Sequence, residues 1–269
     1  MTHSQSGPSP AASSVDSSSS LAAPSGGLAG QVHAGVEHDV CGSLPDIEVG
    51  VGRPLPANYL FDPAAHFLGF LTEACRRSRE TGTSLELLGL NWPAQIRPGP
   101  PLQVCIAAKE AVLRPFCILG TPAGSLQMRA ATHPAADAEH WVRAEDLLWN
   151  VGLWTSRGRL PAGVDVHAPV KLGAWPNFTR TSGLPHAMQI AALWTREAQS
   201  PLALAKRLDI PQRVVFTFFS AAHASGLLLA ADGNAPADVP KLPAAPAAAP
   251  APERKGLFAR ILRTLTHAR

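Results

Sequence analysis

The chain has 269 residues, and its 26 prolines and 22 glycines make up nearly a fifth of it, so part of it does not pack and the folded portion is smaller than the length implies. Hydrophobic residues at 46% still supply a sizeable core. No window approaches the roughly 18 consecutive apolar residues of a spanning helix, so a soluble protein is expected. The net charge of +3 is concentrated at one end: five basic residues and one acid lie between Glu253 and Arg269, leaving 18 basic against 19 acidic residues, or −1, before them. A body that neutral lacks the electrostatic footprint of a nucleic-acid binder.

The N-terminus has no basic patch followed by an apolar run, so a cytoplasmic location is expected. Residues 1 to about 52 are rich in Ser, Ala, Gly and Pro without an apolar period, and disorder is expected there. His33, His38 and Cys41 have a chelating spacing but lack a fourth partner. Cys41, Cys75, Cys105 and Cys117 fall at wide, irregular intervals, and the last two lie in apolar runs, which argues against disulfides and zinc. No nucleophile is visibly paired with a base, no phosphate-cradling loop is present, and no metal or cofactor is implied, so an enzyme is not expected.

Residues 58–132 are expected to form a small α+β domain. Asp62 and Pro63 open a helix running to Glu80, with Phe67, Leu68, Leu71 and Cys75 at helical spacing and Gly82 as its stop. Four strand-like runs follow, Ser84–Leu90, Leu102–Ala108, Ala111–Leu119 and Ser125–Ala131, and their short Pro/Gly connections suit an antiparallel sheet. Pro115 places the third at an edge or bulge.

Residues 133–183 are a bridge. Pro134–Trp154 has a helical pattern with Trp141, Ala144, Leu148, Val151 and Trp154 near one face. Arg157 and Arg159 then flank Gly158 in the only compact basic loop of the body, either a contact for an anionic partner or an exposed turn. Val166–Trp175 suits a short strand. In the run WPNFTR, Trp175 and Phe178 are core anchors, while Asn177 and Arg180 are either turn residues or contacts offered to a partner.

Residues 184–232 form a three-helix unit. Pro185 opens a helix with Ala187, Ile190, Ala191 and Trp194 on one face; Ser200 and Pro201 cap a second; a break at Asp209-Ile210-Pro211 starts a third that ends at Gly226 before a strand, Leu227–Ala230. The stretch SPLALAKRLDIPQRVVFTFFSAAHASGLL resembles the winged-helix branch of the helix-turn-helix superfamily. That resemblance implies a reading surface on the third helix at Gln212, Arg213 and Thr217, with Ser220 beside them. The helix has one basic side chain, Arg213, and the unit nets +1, from Arg196, Lys206, Arg207 and Arg213 against Glu197, Asp209 and Asp232, so protein contact is favoured over DNA. Phe216 is expected to be exposed for such contact.

Residues 233–252 are nearly all Ala and Pro, a spacer reaching roughly 50 to 60 Å in polyproline geometry. In residues 253–269 Leu257, Phe258, Ile261, Leu262 and Leu265 gather on one helical stripe with Arg260 and Arg263 opposite. A basic amphipathic helix on a tether can lie on an anionic membrane surface, dock in a partner's groove or fold back on the body. The expected class is therefore α+β, a small antiparallel sheet with a helix followed by a winged-helix-like unit. The expected function is a bacterial-type regulatory or adaptor protein acting through an unidentified protein partner, with the tail giving access to the inner face of the membrane. A winged-helix DNA-binding regulator is the alternative.

Overall fold

The computed structural model describes residues 37–133, 141–180 and 183–230. The chain is α+β. Asp62 accepts the Ala64 N–H (2.9 Å) to open a 3-10 turn at Pro63–Ala65, and helix α1 follows over Phe67–Thr81, ended by Gly82 in the left-handed region. Its buried stripe of Phe67, Leu68, Leu71, Ala74 and Cys75 faces the apolar side of a five-stranded sheet. The strands are β2 (Leu85–Leu88), β3 (Ala94–Arg97), β4 (Gln103–Ile106), β5 (Gln127–Ala130) and β6 (Trp141–Arg143), after a two-residue β1 (Leu60–Phe61). Their spatial order is β5-β2-β3-β4-β6, antiparallel at every step. Leu85, Ile96 and Val104 lie across from one another in register and all point to the core, as period-2 alternation requires.

Three expectations fail in this half. The run Ala111–Leu119 is not a strand: Glu110–Ile118 is helix α2, in which Leu113 and Cys117, one turn apart, are the buried pair. A short apolar run fits either period, and packing against residues 144–156 and α1 selects the helix despite the donor missing at Pro115. Strand β3 was not anticipated, although Ala94 and Ile96 alternate inward between Pro93 and Pro98. The bridging helix α3 begins at Ala144 and ends at Ser156; Trp141 belongs to β6, because β4 offers a free edge there, and residues 134–140 lie outside those described.

Strand β7 (Leu160–Pro161) pairs parallel with β1, and β8 (Val170–Leu172) leads to the three helices α4 (Ala187–Arg196), α5 (Pro201–Leu208) and α6 (Gln212–Ala224). Ser200 caps α5 through its hydroxyl, as expected. Strand β9 (Leu228–Ala230) pairs antiparallel with β8, so the ribbon beside the helices is completed by a strand that precedes them. The segment after Ala230, with the expected turn at Asp232-Gly233, lies outside the described residues.

The centre of the molecule is the crossing of α3 and α6. All nine residues from Val214 to Ala222 are buried, so α6 has no free face over this span. Phe216, expected at the surface, is 0% exposed. At the crossing stands Gly152, where an added Cβ would sit 2.7 Å from the Ala224 Cβ and 3.0 Å from the Ser220 carbonyl oxygen; the missing side chain is what lets the helices approach. One continuous buried cluster runs from the sheet through α3 to the three-helix unit.

Candidate interaction surfaces

The end of α6 that the winged-helix resemblance makes a reading surface is covered by an element expected to be disordered. Residues 37–41 are helical, and the chain from there to Val49 runs as a strap across the start of α6. Pro211 gives α6 no side-chain cap, and Asp46 supplies one from the strap, accepting the Gln212 N–H at 2.8 Å. The Gln212 amide clasps the backbone of Ile47, accepting its N–H (3.1 Å) and donating to its carbonyl (2.8 Å). Arg213 pairs with Glu37, the two side chains being 27% and 16% exposed, and Arg114 pairs with Asp39. The Tyr59 hydroxyl donates to Pro45 O.

Thr217 is fully buried; its hydroxyl accepts the Gly158 N–H (2.9 Å), donates to Arg213 O (2.8 Å) and lies beside the Cys41 thiol. Gln212, Arg213 and Thr217 thus make internal contacts. Ser220 is buried too and donates to Arg159 O. No composition signal separates residues 37–49 from the polar stretch before them; the apolar Val40, Cys41, Leu44, Ile47 and Val49 are the trace of their anchoring.

The basic loop is likewise turned inward at one of its two arginines. Arg159 donates to the carbonyls of Ser156 and Thr155, satisfying acceptors at the end of α3, and its guanidinium lies over the Phe61 ring. Arg157, half-buried in left-handed backbone, ends α3. They are the C-terminal cap of a helix before they are a surface.

The WPNFTR run stands differently. A series of ring contacts leads outward from the core: Trp194 to Phe218 (5.7 Å), Phe218 to Trp149 (5.1 Å), Trp149 to Phe178 (6.2 Å), Phe178 to Trp175 (6.0 Å), the last three edge-to-face. Phe178 is the anchor that was expected. Trp175, also expected in the core, is 48% exposed. Asn177 accepts from the Thr179 hydroxyl, which fixes the turn, and exposed Arg180 follows it. Beneath lies the buried carboxyl of Asp146, whose pKa burial raises against the pull of Arg143 and Arg180.

A second feature is a cleft of about 1090 Å³, mostly apolar, between α1, the loop around Thr121–Leu126, residues 161–170 and the end of α6 at His223. Carboxylates at its rim come from Asp62, Glu73 and Asp165, against one guanidinium, Arg76. His66 donates from Nδ1 to Leu119 O, and desolvation holds its pKa below the usual histidine value, so it adds no charge there at neutral pH. The Thr121 hydroxyl at its edge is buried without a partner among the described residues.

Comparison with known proteins adds no relative. No protein-family model, no curated protein and no solved structure matches this chain. Among the described residues no group of three His, Cys, Asp or Glu side chains is placed to hold a metal ion, and no helix is long and apolar enough to cross a membrane.

All four cysteines are buried as free thiols, and burial pushes Cys41 and Cys75 up to about 12 and raises Cys117 as well. Reaction requires thiolate and access, and both are denied. Treatment of the native protein with an aromatic disulfide reagent at pH 8 is expected to release less than one thiol per chain over minutes, against all four in guanidinium. Rapid release of one or more from the native protein would contradict this burial.

Proposed function

We propose that this chain is a non-enzymatic regulatory or adaptor protein that binds another protein through the surface around Trp175, with Asn177 and Arg180, while its basic C-terminal segment, residues 253–269, supplies a second attachment to an anionic membrane surface or to the partner. The observation that carries the first part is the half-exposed Trp175 at the end of a ring series rooted at fully buried Trp194. A rigid, partly exposed tryptophan beside an arginine has the chemistry of a binding hot spot, because it loses little rotamer freedom and gains much area when covered. DNA reading through α6 loses support, since Gln212 and Arg213 are engaged by the strap and Thr217 is buried.

The test is affinity capture from a native lysate with the full chain and with Trp175→Ala and Arg180→Glu. Partners bound in the intended way are expected to be lost from both variants at unchanged melting temperature, and with a purified partner Trp175→Ala is expected to weaken binding by about 30-fold, equivalent to about 2 kcal/mol. Partners retained by both variants would place the contact elsewhere. Titration with random duplex DNA at two salt concentrations checks the alternative: tight binding that falls steeply with salt favours it.

A further inference from the structure

The cleft beside α1 has no occupant among the described residues, and residues 253–269 carry Leu257, Phe258, Ile261, Leu262 and Leu265 at a spacing that would gather them into one stripe on a helix. The geometry points to the cleft as the docking site of this chain's own C-terminal segment, residues 253–269, an inference that stands whether or not the Trp175 surface has a partner.

Four observations meet here. First, the described chain arrives at the site: β9 ends at Ala230, which lines the cleft together with its strand partner Val170. Second, the 22 residues 231–252 separate that point from the stripe, a chain long enough for the segment to come back over the cleft. Third, the charges are complementary. The rim carries Asp62 and Asp165 beside a Glu73–Arg76 ion pair, while the segment carries five basic residues and one acid. Fourth, the lining matches the stripe, with Val164, Leu126 and Phe70 among its apolar side chains.

A segment of 17 residues is about 25 Å long as a helix, and its Leu257, Phe258, Ile261 and Leu265 would line one side facing the cleft floor at Phe219. Docking would hide the same stripe that a membrane or partner needs, so occupancy of the cleft and attachment elsewhere exclude each other.

Cross-linking of the full chain tests this, using the low reactivity of the native thiols. Cysteines are placed at Ala162, exposed on the cleft wall, and at Thr264, beside the stripe, and joined with a short bis-maleimide. The expected product is an intramolecularly linked monomer. Thr72→Arg with Asp165→Lys, both on the cleft wall, is expected to reduce it about tenfold without lowering the melting temperature. Reversal of the segment by Arg260→Glu with Arg263→Glu is expected to reduce it similarly and to restore it when combined with the reversed wall. A covalent dimer as the main product, absence of a link, or a link indifferent to both reversals would overturn the inference.

Discussion

Phe216→Ala is expected to destabilise the protein by about 3–5 kcal/mol, a large share of the 5–15 kcal/mol available to a domain. The side chain is fully buried in the middle of α6, within the cluster shared by the sheet half and the three-helix half, so truncation removes its transfer free energy and leaves a cavity that two packed helices cannot close. Equilibrium urea unfolding followed by tryptophan fluorescence measures it. Phe216→Leu, which retains most of the volume, is expected to cost much less. A surface contact residue would behave in the opposite way, with binding lost and stability unchanged. A Phe216→Ala protein as stable as the parent would mean that α6 has a free face.

Gly158→Ala is expected to cost about 2–4 kcal/mol and to release the strap. Gly158 has φ +86°, where a side chain costs about 1–2 kcal/mol, and its new Cβ would stand 2.4 Å from the Cys41 carbonyl oxygen. The clash is with backbone on the strap and cannot be relieved by a rotamer change. Movement of the strap would carry Cys41 out of its site beside Thr217, so the variant is expected to expose one reactive thiol under native conditions where the parent exposes none. Gly82→Ala is the control, since its φ of +64° carries the same backbone penalty with nothing within 4 Å. Thiol reactivity equal in the two variants would show that the strap is not held at Gly158.

Much of the chain was legible in its residues. The caps at Asp62 and Ser200, the stop at Gly82, the four-residue repeats of α1, α4 and α5 and the antiparallel character of the sheet follow from local rules that tertiary context did not override. Two of the failures share one cause. In Ala111–Leu119 and Trp141–Arg143 the local pattern admits two periods, and the outcome was set by a neighbour, packing on α3 and α1 in one case and the free edge of β4 in the other. For the third helix the error concerned faces. Val214, Val215, Phe218 and Phe219 already marked one buried side, but burial of Phe216, Thr217 and Ser220 depends on α3, on the loop at Gly158 and on the strap.

The candidate surfaces divide the same way. Asn177 and Arg180 were legible as residues of a specific loop, whereas the exposure of Trp175 was not, because an aromatic next to a turn reads equally as anchor or as contact until its neighbour Phe178 is seen to take the anchoring place on Trp149. The cleft was invisible in sequence, since its walls come from five separated parts of the chain.

By itself, the amino-acid sequence determined what depends on neighbours a few residues apart: caps, turns, helical stripes, the near-neutral body and the basic C-terminal segment. Only the tertiary structure decided which of those stripes find a partner within the chain. Burial is a relation between segments, here between residues 37–49 and the start of α6, 165 positions away at the Ile47–Gln212 clasp, and no local pattern encodes a relation over that distance.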